Sequence, residues 1–93
     1  MPIYKRKSGL QAEVTHDGTV VYDQARSSII FLNETASAVL ELCDGRADAA
    51  QIANSLKISY LLARAPLRDV KNCLAALAKQ GLLDECANET QKR

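Results

Sequence analysis

The chain has 93 residues, 47% of them hydrophobic and 25% charged, with a formal net charge of +1. That length allows one domain with one modest core, and the near-neutral balance gives no general pull toward nucleic acid or a membrane surface. No apolar run approaches the ~20 residues of a membrane span, and the basic start Met1-Pro2-Ile3-Tyr4-Lys5-Arg6-Lys7 is not followed by the apolar stretch of a secretory signal.

Residues 1–9 read as a mobile N-terminus. Leu10, Ala12 and Val14 then alternate with Gln11, Glu13 and Thr15, the period of a half-buried strand. Asp17-Gly18 is a favoured two-residue hairpin turn, because both residue types tolerate positive φ. The return strand is Thr19 to Tyr22, and the polar turn Asp23 to Ser27 leads to a third strand, Ser28 to Leu32. Three short strands with short loops predict an antiparallel meander.

Helical periodicity follows. Asn33 is placed to cap a helix over about Glu34 to Cys43, with Thr35, Ala36, Val39, Leu40 and Leu42 toward a core. Asp44-Gly45 should stop it, with Gly45 in the left-handed conformation. Asp48 should cap a second helix, about Ala49 to Leu56. Lys57 to Ala65 reads as a linker that can add a short helical turn. Pro66 suits the first turn of a third helix, whose stripe is Leu67, Val70, Leu74 and Leu77. Gly81 should end it, with Leu82-Leu83 packing back. Residues 10–85 thus form the domain, and 86–93 read as a mobile tail. The predicted class is α+β and winged-helix-like, a three-stranded antiparallel sheet followed by three helices, an architecture that fixes no function by itself.

Candidate chemistry is sparse. His16, the single histidine, adjoins a turn and reads as a surface residue. Cys43, Cys73 and Cys86 lack the clustered spacing of a zinc or iron–sulfur site. Cys43 and Cys73 read as small core hydrophobes and Cys86 as an exposed tail residue. An odd count without close pairing fits a reducing, cytoplasmic setting. No phosphate loop or catalytic triad is visible. The chain reads as no enzyme, with no catalytic residue, metal or cofactor.

The third strand is unusual for one side of a meander. Ile29, Ile30, Phe31 and Leu32 are consecutive, so if Ile30 and Leu32 face the helices, Ile29 and Phe31 point away. An apolar edge with free backbone groups needs covering. An added peptide strand would do so; the N-terminal segment or a homodimer are the plainer covers.

Two segments, LNETASAVLELCDGRADAAQIANSL and DVKNCLAALAKQGLL, resemble the PqqD family over about Asp17 to Leu83. Their most specific parts are Leu32 to Ala36, Asp44-Gly45, Ile52 with Leu56, Asp69-Val70 and Gly81-Leu82-Leu83. The resemblance implies a peptide chaperone of ribosomally made, modified peptide pathways. It would bind the leader segment of a precursor peptide and present it to a modifying enzyme, commonly a radical S-adenosylmethionine protein. The leader is expected in the groove between the third strand and helix three. Its contacts would be Ser28, Ile29, Ile30, Phe31 and Leu32 on the strand, and Leu67, Arg68, Lys71, Asn72, Ala75 and Lys79 on the helix. Ala75 would leave room for a side chain, and Arg68 and Lys71 would pair with leader carboxylates; a solvated helix face is the plainer reading of each. Members acting in pyrroloquinoline quinone biosynthesis usually carry a Leu-Leu-x-Pro-Glu-like stretch before the third strand. Here VVYDQARSSIIFL has no proline, which favours another pathway.

Two other functions compete. A winged-helix DNA-binding regulator would read with helix three, but net charge and the scarcity of basic residues there oppose it, and the basic ends Lys5-Arg6-Lys7 and Lys92-Arg93 read as solvated tails. A recognition partner of a leader peptidase, as in lasso-peptide pathways, shares the peptide-binding step and differs in its enzyme.

Overall fold

The computed structural model describes residues 3–86. The expected meander is present as β2 (Leu10–Val14), β3 (Gly18–Asp23) and β4 (Ser28–Asn33), antiparallel in the order β2-β3-β4. The register runs from Leu10 opposite Asp23 to Val14 opposite Thr19, and from Gly18 opposite Asn33 to Asp23 opposite Ser28. The first hairpin corrects the expected turn. Thr15 N–H donates to the Gly18 carbonyl at 2.8 Å, so His16 and Asp17 form the tip, and neither has positive φ. Gly18 serves a different need: a Cβ there would collide with the Leu32 carbonyl of β4.

Three helices cover one face. Asn33 caps α1 (Glu34–Leu42), its side chain accepting from Ala36 N–H at 2.9 Å. Val39 and Leu40 are buried, Ala36 and Leu42 half-buried, and Thr35 is exposed rather than in the core. Asp48 caps α2 (Ala49–Ser59), and Gln51 answers by accepting from Asp48 N–H, a full capping box. Pro66 stands at the N-cap of α3 (Leu67–Lys79). That helix ends in a Schellman motif: Gly81 (φ +81°) donates to Ala78 O and Leu82 to Leu77 O, both at 3.0 Å. Leu82 and Leu83 then join Val21, Leu32, Val70, Leu74 and Leu77 in the core.

A second sheet was not expected. Residues 3–6 are not a mobile end: β1 (Ile3–Arg6) is the central strand of β5-β1-β6, between β5 (Asp44–Asp48) and β6 (Leu83–Cys86). Ile3 pairs with Cys86 and Arg6 with Leu83. Arg6 N–H donates to Cys43 O at 3.1 Å and Lys7 N–H to Leu82 O at 2.9 Å, so this strand binds the end of α1 to the last strand. Gly45 keeps its positive φ (+85°), but inside β5; Cys43 is the C-cap of α1. Cys86 is half-buried in β6, not exposed in a tail, and residues 87–93 of the expected tail lie outside those described.

Candidate functional site

Among the described residues, the two sheets leave four edge strands, β2, β4, β5 and β6. Three carry charge: Glu13 on β2, Asp44, Arg46 and Asp48 on β5, Asp84 and Glu85 on β6. Charge on an edge discourages pairing with another chain. β4 alone, SIIFLN, has none. β1 pairs with β5 and β6, so the N-terminal strand does not cover β4.

Side chains on β4 divide by alternation. Leu32 is 4% exposed and sits in the core, with Ile30 packed against it; Ile29 and Phe31 are 71% and 57% exposed on the outer face. The backbone divides as well. Since Gly18 directs its carbonyl to Thr15, the next residues along β3, Thr19, Val21 and Asp23 in turn, direct their backbone groups to β4. Their partners Leu32, Ile30 and Ser28 are thereby satisfied. The open edge is left to Ile29, Phe31 and Asn33. Leu32, expected among the contacts, is a core residue with its backbone already used.

One hydrogen bond ties α3 to the turn before β4. Arg26, in that turn, donates from Nη1 to Gln80 O at 3.2 Å. Glu34 and Thr35, at the start of α1 just past β4, line a concavity of about 300 Å³ with Leu56, Tyr60, Leu62, Asp69 and Val70. Asp69, Cys73, Ala76 and Gln80 form one helical row (i, i+4, i+7, i+11), with Gln80 at the Arg26 hydrogen bond and Asp69 lining the concavity beside Glu34. Asn72 borders it. Arg68, Ala75 and Lys79 are exposed one step round the helix, and Lys71 and half-buried Leu67 lie further round. Asp69 sets the charge near Glu34, at the end of β4 next to Asn33. Arg26 sets it at the Ser28 end.

The other notable features lie elsewhere. A second concavity, about 500 Å³, opens between the β2–β3 hairpin and α1, lined by Val14, His16, Ser37 and Tyr60 among others. Burial pushes the Cys43 thiol up to about 11, with the Arg6 charge pulling the other way, and burial followed by nearby Asp69 raises Cys73. Both thiols are therefore protonated at neutral pH. Among the described residues, no group of three or more His, Cys, Asp or Glu is placed to hold a metal ion, and no helix is long and apolar enough to cross a membrane.

The profile of coenzyme PQQ synthesis protein D (PqqD) matches residues 18–83. The chain belongs to the PqqD family. Curated relatives within this family include a PqqA binding protein of Rhodopseudomonas palustris strain TIE-1. It is 33% identical over 90 residues, covering 96% of this chain and 86% of that protein. The PqqA binding protein of Kluyvera intermedia is 36% identical over 81 residues, covering 86% and 85%. Among solved structures, "TbiB1 in Complex with the TbiA(beta) Leader Peptide" has a TM-score of 0.72 at 21% identity, covering 90% of this chain and 99% of that one. "Lasso peptide synthetase B1 complexed with the leader peptide" has a TM-score of 0.70 at 21% identity, covering 87% and 96%. The PqqD fold is thus shared with proteins solved in complex with leader peptides, and two sheets with three helices are its form here.

Proposed function

We propose that this PqqD-family chain is a cytoplasmic, non-catalytic chaperone. It binds the leader segment of a ribosomally made precursor peptide as a strand along β4, against α3, and presents it to a modifying enzyme. The observation that carries this is the uncharged β4 edge, with Ile29, Phe31 and Asn33 open and α3 alongside. Pairing there satisfies the free backbone groups and covers apolar side chains at once. Relatives named as PqqA binding proteins, and fold neighbours solved with leader peptides, support a peptide as the occupant. Glu34 and Asp69 at one end of the groove and Arg26 at the other favour a basic leader residue near Asn33 and an acidic one near Ser28. A strand-sized interface falls at the small end of specific complexes, so affinity should be about micromolar, or −8 kcal/mol.

The enzyme is a radical S-adenosylmethionine protein in the reading that follows the family resemblance. The alternative, a leader peptidase, is favoured by the fold neighbour that is a lasso peptide synthetase B1; a gene neighbour of either kind separates them. The regulator reading gains little, since α3 offers Arg68, Lys71 and Lys79 against Asp69 and the net charge is +1.

The test is an amide-shift titration of labelled protein with the leader of a small peptide encoded beside the gene. Saturable shifts on Ser28–Asn33 and on Asp69, Asn72, Cys73 and Ala76 are expected. Silence toward the leader together with tight binding to duplex DNA would transfer the fold to the regulator reading.

A further inference from the structure

The outer face of β2-β3-β4, turned away from the core, carries an apolar patch. Opposite residues in the register share a face. One row crossing the sheet is therefore Gln11, Tyr22 and Ile29, and the next is Glu13, Val20 and Phe31. Val20 and Tyr22 are half-buried by their neighbours, whereas Ile29 and Phe31, at the open side, are mostly exposed. The charged and amide groups of these rows, Glu13 and Gln11, stand two strands away on β2.

The residues exposing side chains here are the same ones whose N–H and C=O groups face the open edge. A strand that bonds to Ile29 and Phe31 must place the residues opposite them on this outer face, whichever way it runs. We propose that the leader is read on both faces: two residues spaced i, i+2 pair with Ile29 and Phe31 on the outside and are apolar, while those between them point to Ile30 and α3. This rests on the strand-addition reading and specifies its substrate. The recognised segment is a run of consecutive apolar residues, not an alternating apolar–polar strand with one dry side.

Displayed peptides of about twelve random residues, with PqqA of Rhodopseudomonas palustris and the TbiA leader included, provide the probe against the full chain. Hydrogen exchange then reads the register. The Ile29 and Phe31 amides, fast in the free protein, should become protected, while Ile30 and Leu32 should be protected throughout. Enriched peptides should carry apolar residues at the two outward positions. Aspartate at either should weaken binding about fivefold, and the loss should shrink in Phe31→Ala or Ile29→Ala protein. Peptides that protect Ile29 and Phe31 yet tolerate outward aspartate would overturn two-faced reading and leave strand addition standing. A dimer of free protein abolished by Phe31→Asp, with outward aspartate harmless, would assign the patch to a second copy instead. If no peptide protects those amides, strand addition itself fails and the two-faced reading with it.

Discussion

Arg26 Nη1 donates to the Gln80 carbonyl at 3.2 Å, so the turn that launches β4 is fastened to the C-terminal end of α3. The same guanidinium lies with Nε 3.9 Å from Asp23 Oδ2, a buried carboxylate oxygen with no hydrogen bond. It also covers Gly81, where an added Cβ would run into it. One side chain therefore links the turn before β4, the C-terminal end of α3 and buried Asp23.

Arg26→Ala should destabilise the domain by about 1–3 kcal/mol, because Asp23 would be left buried without its cation. Gly81→Ala should cost about 1–2 kcal/mol through its left-handed backbone alone, and somewhat more while Arg26 is in the way. Urea unfolding of both single variants and the double variant checks this. A double variant less damaged than the sum of the two is the expected sign of the shared contact.

Gly18 meets backbone rather than a movable side chain. Gly18→Ala would place a Cβ against the Leu32 carbonyl, and strands β3 and β4 cannot separate without losing their ladder. A loss of about 3 kcal/mol or more is expected, measured by thermal unfolding. Gly9→Ala makes the comparison, since a Cβ there meets nothing within 4 Å and only its φ of +85° opposes it.

The meander, the helix stripes and the caps Asn33 and Asp48 were legible because each depends on residues close in sequence. β1, β5 and β6 were not. IYKR, DGRAD and LDEC are short and mixed in charge, and they become strands only by pairing across long separations such as Ile3 with Cys86. The apolar edge of β4 was visible as four consecutive apolar residues. The orientation of α3 was legible only in part. Val70, Leu74 and Leu77 mark the buried face, but the direction of the exposed arc depends on how α3 lies over the sheet.

Phe31 and Leu74 should separate binding from folding. Phe31→Asp changes a 57% exposed side chain on an outer face, so stability should move by about 0.5 kcal/mol or less while leader affinity falls. Leu74→Ala empties a core position 3% exposed and should cost about 2–5 kcal/mol. Calorimetric binding alongside chemical denaturation checks both. A folded Phe31→Asp protein with unchanged affinity would remove Phe31 from the site.

Cys43 gives a pH dependence of known sign. Its thiol is held at about 11 in the fold against an ordinary 9.0. Below pH 9 both folded and unfolded chains keep the proton, and its contribution is fully present. Between about 9 and 11 the unfolded chain loses the proton first, so stability falls as pH rises. Cys43→Ala protein, compared in denaturation across this range, should lack that part of the slope. Thiol labelling of the native protein should modify Cys73 and Cys86, both half-buried, before fully buried Cys43.

The turn of α3 yields the sharpest test of where a leader lies. Ala75 and Ala76 are adjacent, both exposed and both within the helix, so an arginine at either has the same small effect on helix stability. Ala76 shares the row of Asp69, Cys73 and Gln80, which ends at the Arg26 hydrogen bond and on the proposed reading faces the leader, whereas Ala75 lies one step round. Ala76→Arg should block the groove and weaken leader binding by about tenfold, or 1.4 kcal/mol. Ala75→Arg should leave binding near that of the unmodified protein. Fluorescence anisotropy with labelled leader measures both. Loss at Ala75 with none at Ala76 would return the contact to the row of Arg68 and Lys79 and require the peptide to lie on the outer side of the helix.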